Sequence, residues 1–237
     1  MDTCTRLFFS RLQRSTALLT LLAALLVVPA FAQQLQPISL PKPQIAGGMP
    51  LMQALAQRRT TRVFGDRDLP LQTLSNLLWA AFGVNRPREV MQGLGRTAPS
   101  AMNSQEIDIY VATTEGIYVY DAKGNRLEPV ASGDIRVRTG SQDFVKVAPV
   151  ALVLVADLAR QTKAKPEDKE GYASFDAGCI SQNIYLFCAS AELATVVHET
   201  ARTGLREALH LKPDQKIIIA QSVGYPKATP AASGPAK

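Results

Sequence analysis

The 237-residue chain carries 26 Lys and Arg against 20 Asp and Glu, a formal charge of +6, and 46% of its residues are hydrophobic. The length suffices for one domain with a real core. The charges alternate in sign without a Lys/Arg block, so a nucleic-acid role is not suggested.

The chain opens on an export signal. Arg6, Arg11 and Arg14 form a basic region, residues 17–28 an apolar run of signal-peptide length, and Pro29 precedes Ala30-Phe31-Ala32, an A-x-A cleavage site. The run is too short for a membrane span, which needs roughly 18 residues or more. Residues 1–32 are expected to be removed after Ala32 and the protein to be periplasmic, with no stable membrane anchor. Those residues carry a net charge of +2, which leaves the mature chain at +4. Arg11 and Arg14 are not adjacent, so the signal is not of the twin-arginine kind. No cysteine follows the apolar run, which argues against a lipid anchor.

Residues 33–48, rich in Pro, Gln and Gly, read as a linker or a wrapping arm. Residues 49–57 form a short helix with Leu51, Met52, Leu55 and Ala56 on one stripe. Pro70 suits a first helical turn, Leu71, Leu74, Leu77, Leu78 and Ala81 follow at helical spacing, and Gly83 ends the run. Residues 85–98 read as a loop and residues 99–103 as a turn.

Ile107, Ile109 and Val111 alternate with polar residues, which predicts a strand over 106–113. A hairpin follows, strands 116–120 and 126–130 about a turn at 121–125. Residues 149–156 are a continuous apolar run and read as a central strand buried on both faces. Residues 161–170 read as a loop.

Residues 172–193 form the longest helical pattern. It is apolar on most of its surface and is expected to be buried all round. Cys179 and Cys188 lie on it nine positions apart, on opposite faces and about 13.5 Å along the axis, beyond disulfide reach, and both read as core residues. A short strand at 195–198, a helix at 204–211 and a strand at 216–223 complete the domain, and residues 228–237 read as a disordered tail. The mixed order, with a hairpin in the middle, predicts an α+β fold: a sheet covered by helices.

Several catalytic devices are missing: a G-x-S-x-G elbow, a Walker loop, G-x-G-x-x-G and H-E-x-x-H. His210 sits near a helix end, where a cation suits the dipole. His198 has no serine elbow to serve, and two distant thiols make a poor metal site. What remains suits an anionic small molecule. Arg58, Arg59 and Arg62 fall at a helix end, so at least two can point into one cleft, and a guanidinium presents a fork matched to phosphate. Pro99-Ser100-x-x-Asn103 adds a hydroxyl, an amide and backbone N–H groups. The same residues could equally be a solvated face and an ordinary turn.

Four segments in order carry a resemblance. Arg58-Arg59-Thr60-Thr61-Arg62-Val63-Phe64 resembles the R-R-(S/T)-x-R-x-(F/Y) opening of the nitroreductase family. Pro99-Ser100-Ala101-Met102-Asn103-Ser104-Gln105 resembles its P-S-x-x-N-x-Q segment. Asp176-Ala177-Gly178 with Gln182-Asn183 is similar to its central helix, and Gly224-Tyr225-Pro226 to its closing G-Y-P. The stretch from Leu77 to Asn85 and the hairpin at 117–130 resemble the SagB-like dehydrogenase branch. Two departures stand out: Val197-His198-Glu199-Thr200 replaces a Gly-rich stretch, and Glu106-Ile107 replaces a Pro-Trp.

The resemblance implies a nitroreductase-like domain over residues 49–227, with a central, mostly antiparallel sheet flanked by helices. It further implies a homodimer holding FMN at the subunit interface. Arg58, Arg59, Thr60 and Arg62 would contact the phosphate and the pyrimidine side of the flavin, Arg62 near N1. Pro99, Ser100, Ala101, Asn103 and Gln105 would reach in from the other subunit, backbone at Val196 and Val197 would lie by N5 and O4, and Lys227 would serve the phosphate. The implied activity is ping-pong oxidoreduction of a small molecule, with the flavin carrying the chemistry, no catalytic side chain and no metal. NAD(P)H, a quinol or a redox partner could be the donor. A binding protein that retains the fold, or a dehydrogenase acting on a peptide-derived ring, stays open beside it.

Overall fold

A computed structural model describes residues 35–90, 93–200 and 204–228. The expected signal peptide and all but the first residue of the expected tail lie outside the described residues. A seven-stranded sheet in the order β1-β6-β5-β4-β7-β9-β8 forms the framework. Its strands, all paired antiparallel, are β1 (Ile38–Ser39), β4 (Ile107–Ala112), β5 (Gly116–Asp121), β6 (Arg126–Ser132), β7 (Val150–Asp157), β8 (Ala194–His198) and β9 (Gln215–Gly224). The expected wrapping arm is thus anchored by β1, which adds a two-residue edge to the hairpin.

The central strand is buried on both faces, as its apolar run predicts, and period-two alternation shows why. Leu152, Leu154 and Ala156 enter one core and Ala151, Val153 and Val155 the other. The first core is closed by α2 (Leu71–Phe82) and α4 (Lys169–Ser190), while α1 (Leu51–Gln57) buries only Ala54. Leu74, Leu77, Leu78 and Ala81 of α2 meet Ala177, Ile180 and Ile184 of α4 there. The second core is covered by α5 (Leu205–Ala208), a single turn where a longer helix is expected. A short helix, α3 (Phe144–Val147), precedes β7.

Three expectations need correction. Residues 85–98 are not a plain loop. β2 (Val84–Val90) pairs with β3 (Gly93–Arg96) as a separate two-stranded ribbon. Two register shifts interrupt the pairing, and Pro87 and the glycines hide the alternation that would have signalled it.

The segment at 161–170 already turns helical at Pro166–Asp168, and α4 starts at Lys169, since Pro166 and the acidic first turn favour a helix start.

Finally, α4 is not buried all round. Ala173, Asp176, Ala177, Ile180, Ile184 and Cys188 face inward, while Tyr172 and Phe175 are exposed, Phe175 at 66%. Cys179 on its flank is only half-buried. The stripe on α1 likewise faces away from the core, with Leu51, Met52 and Leu55 exposed.

Candidate functional site

The arginine segment leaves α1 as extended chain and runs from the free edge of β8 to the residues that follow β9. Thr61 N donates to Thr195 O at 2.9 Å, Gly65 N to Tyr225 O at 2.9 Å, and Lys227 N to Val63 O at 3.2 Å, while Phe64 bridges Pro226. Two of the four sequence segments therefore meet at one edge of the sheet. Gly224 is required there: a Cβ on it would stand 2.4 Å from Pro149 Cδ and 3.2 Å from Phe64.

Arg58, Arg59 and Thr61 line a cavity of about 610 Å³ with Cys188, Ala189, Thr195 and Pro226. That volume lies within the range of small-molecule sites, roughly 300–1,000 Å³. Burial pushes the Cys188 thiol far up, so it stays a neutral wall. One carboxylate, Glu192, also lines the cavity. Thr60 and Arg62 are exposed and do not line it. Among the described residues none of the three arginines makes an ion pair. Unneutralised guanidiniums beside a cavity of this size fit a phosphate-bearing ligand.

Tyr185, which the sequence reading passed over as part of an apolar helix, joins these pieces. Its hydroxyl lies 3.0 Å from Thr60 Oγ1 and accepts from Val197 N at 3.0 Å, and the Arg58 guanidinium sits 5.3 Å from its ring centre. β8 is an edge strand, so the outward N–H of Val197 has no strand to pair with. The phenol caps it. The only sequence signal was a polar-tipped aromatic one turn after Gln182-Asn183. Val196 packs its side chain with Phe64 and Ala194 and can offer only backbone. Lys227 is exposed beside Val63.

The second cluster is the turn at 99–105. Met102, Asn103 and Gln105 all adopt left-handed backbone, at φ of 53°, 55° and 49°. Three such non-glycine residues within four positions store strain that the surroundings must hold. Ser100 Oγ accepts from Gln105 N at 3.0 Å, Gln105 Nε2 donates to Asn103 Oδ1 at 3.0 Å, and Arg96 Nε donates to Gln105 Oε1 at 2.7 Å. Gln105 is thereby committed to the turn's own framework, whereas Asn103 keeps its amide hydrogens. Pro99 is exposed. Ala101 N donates to Asp176 Oδ2 at 2.8 Å, docking the turn on the first half of α4.

Asp176 and Tyr185 are nine residues apart, about 13.5 Å along the helix. The structure thus brings Arg58, Arg59, Thr60, Arg62, Val196, Val197 and Lys227 to one end of α4. It keeps Pro99, Ser100, Ala101, Asn103 and Gln105 at the other.

His198 is 5% exposed, with Nε2 2.9 Å from Ser222 Oγ and its ring edge-on to Phe144. Burial holds its pKa below the usual imidazole value. It is a packed structural group. His210 follows α5 in a left-handed turn, at φ 52°.

The nitroreductase family profile matches residues 55–225. A candidate nitroreductase of Ralstonia eutropha JMP134, known as a crystal structure, is 42% identical with a TM-score of 0.77, covering 85% of this chain and 94% of that one. A candidate nitroreductase of Methanocaldococcus jannaschii is 29% identical over 173 residues, 68% of this chain and 85% of the relative. A third, from Desulfovibrio desulfuricans and solved in complex with FMN, is 21% identical with a TM-score of 0.54, covering 77% of this chain and 89% of that one, a likeness of fold. With the family profile spanning six of the seven strands of the sheet, both long helices and the arginine segment, the chain belongs to the nitroreductase family.

Proposed function

We propose that the mature protein is an exported FMN-dependent oxidoreductase of the SagB-like branch, acting on a small-molecule acceptor. The observation that carries this reading is the set of three arginines without carboxylate ion pairs among the described residues, two of them lining the cavity of about 610 Å³. Arg58 and Arg59 would hold the phosphate, with Lys227 in support. Thr60, Arg62 and the Val196 and Val197 backbone would face the ring system, Arg62 supplying a cation. When bound, FMN supplies the hydride and electron chemistry. The protein binds and orients, and no side chain of the site acts as nucleophile or essential acid.

The turn at 99–105 serves a neighbouring copy in this reading. Within one chain it lies too far along α4 to join the arginines, and a two-fold partner would bring Pro99, Ser100, Ala101 and Asn103 across. The exposed apolar residues of α1 and α4 would be covered in the same homodimer. Export rests on the leader at 1–32.

The test is the visible spectrum of purified, cleaved protein. Yellow protein with flavin absorption is expected. Arg59→Ala should lose flavin on dialysis with the fold intact, because a charge-assisted contact is worth about 1.5–3 kcal/mol, roughly ten- to hundredfold in affinity. Flavin content unchanged by Arg59→Ala would move the site elsewhere. A wild type that takes up no flavin would favour a binding protein that merely keeps the fold.

A further inference from the structure

Glu106 and Asp176 are both fully buried, and no lysine or arginine pairs with either among the described residues. Their side chains come within hydrogen-bonding reach of each other. Both carboxyl oxygens of Glu106 and Oδ1 of Asp176 lack a donor. Two buried carboxylates side by side without a cation cannot both stay ionised, since each desolvated charge costs several kcal/mol and the two repel. A proton held between them removes one charge and gives the orphaned oxygens a hydrogen bond.

Among the described residues the surroundings offer no other remedy. Cys179, one turn further along α4, adds no positive charge; burial and the Asp176 charge push its thiol up. Arg96 is spent on Gln105 and on Phe82 O, and Arg160 on Asp108 and on Gln105 O. The pair also sits at a junction. Glu106 O accepts from Asp157 N at 2.9 Å, which fixes Glu106 to β7, and Asp176 Oδ2 holds Ala101 N of the strained turn.

We propose that Glu106 and Asp176 share a single proton, and that this protonated pair is the clasp that holds the turn at 99–105 on α4. The two residues are positioning residues: neither is placed on the cofactor, and their effect on it rests on the FMN reading above. Desolvation, then the neighbouring Glu106, raises the Asp176 pKa from 3.8 to about 7. The folded chain therefore keeps this proton where an unfolded chain has released it. The clasp is complete in mild acid and is lost as pH rises through about 7.

The experiment is infrared spectroscopy of the mature protein across roughly pH 5 to 9, with added FMN titrated in parallel. Wild type should show the carbonyl stretch of one protonated carboxyl per chain, bleaching as pH passes about 7. FMN affinity should fall about tenfold or more over the same interval. Glu106→Gln, whose amide donates at every pH, should lack the titrating band and hold FMN evenly across the range. Asp176→Ala, which removes the acceptor for Ala101 N, should weaken FMN at every pH. A wild type without a titrating protonated carboxyl overturns the proposal, as does Glu106→Gln with the wild-type pH dependence of binding. If wild type takes no FMN at any pH, the cofactor reading fails and the band alone decides the pair, its presence supporting the shared proton and its absence refuting it. The wild-type band also decides if a variant fails to fold.

Discussion

The amide of Val197 donates to the hydroxyl of Tyr185 at 3.0 Å, so a helix side chain caps the free edge of the sheet where the arginine segment arrives. The same hydroxyl reaches Thr60 Oγ1 at 3.0 Å. Tyr185→Phe keeps the ring beneath Arg58 and deletes both bonds. The expected cost is about 0.5–1.5 kcal/mol of stability. A chain of this size should then melt about 2–4 °C lower per kcal/mol. Thermal unfolding of the two proteins checks it; equal melting temperatures would mean that water satisfies Val197 as well as the phenol does.

Phe175 is 66% exposed and stands on α4 beside exposed Tyr172, with Leu51, Met52 and Leu55 exposed on α1. The proposed homodimer would cover these exposed apolar side chains. Light scattering should give twice the chain mass for the mature protein. Phe175→Asp should shift it toward the single-chain mass with the circular dichroism unchanged. A wild type that is monomeric while holding flavin would end the shared-site arrangement.

His198 sets an acid limit on stability. Its pKa is held below the usual imidazole value of 6.5, chiefly by burial. The unfolded chain therefore takes the proton more readily than the folded one. Stability is intact above about 6.5 and is lost as pH falls from there toward the lower folded value. Urea unfolding across that interval should show the midpoint dropping with acidification. The drop should shrink in His198→Gln, and an equal acid slope in both proteins would assign it to other groups.

Arg62 and His198 should separate kinetically. Arg62→Ala should slow reduction of bound flavin by an artificial donor, because the cation proposed to favour the reduced, anionic ring is gone. His198→Ala, which changes a buried group bonded to Ser222, should leave most of that rate. Stopped-flow absorbance measures both. Abolished turnover in His198→Ala with flavin retained would demand a general acid.

Local patterns set much of this molecule without tertiary help. The apolar run around Leu152, the spacing of Leu74, Leu77, Leu78 and Ala81, and the Gly83 stop each act over a few residues, and each gives the expected element. The R-R-T-T-R and G-Y-P segments are likewise local, and the fold brings them side by side. What the tertiary structure decided depends on partners distant in sequence. The ribbon of β2 and β3 follows from pairing that Pro87 and the glycines conceal. Which side of α4 meets the core was hidden because Tyr172 and Phe175 are as apolar as the residues that do. Tyr185 became a site residue only once Thr60 and Val197, 125 and 12 positions away, met its hydroxyl. Glu106 and Asp176 are ordinary surface types in sequence; burial against each other, without a cation, is what makes them share a proton.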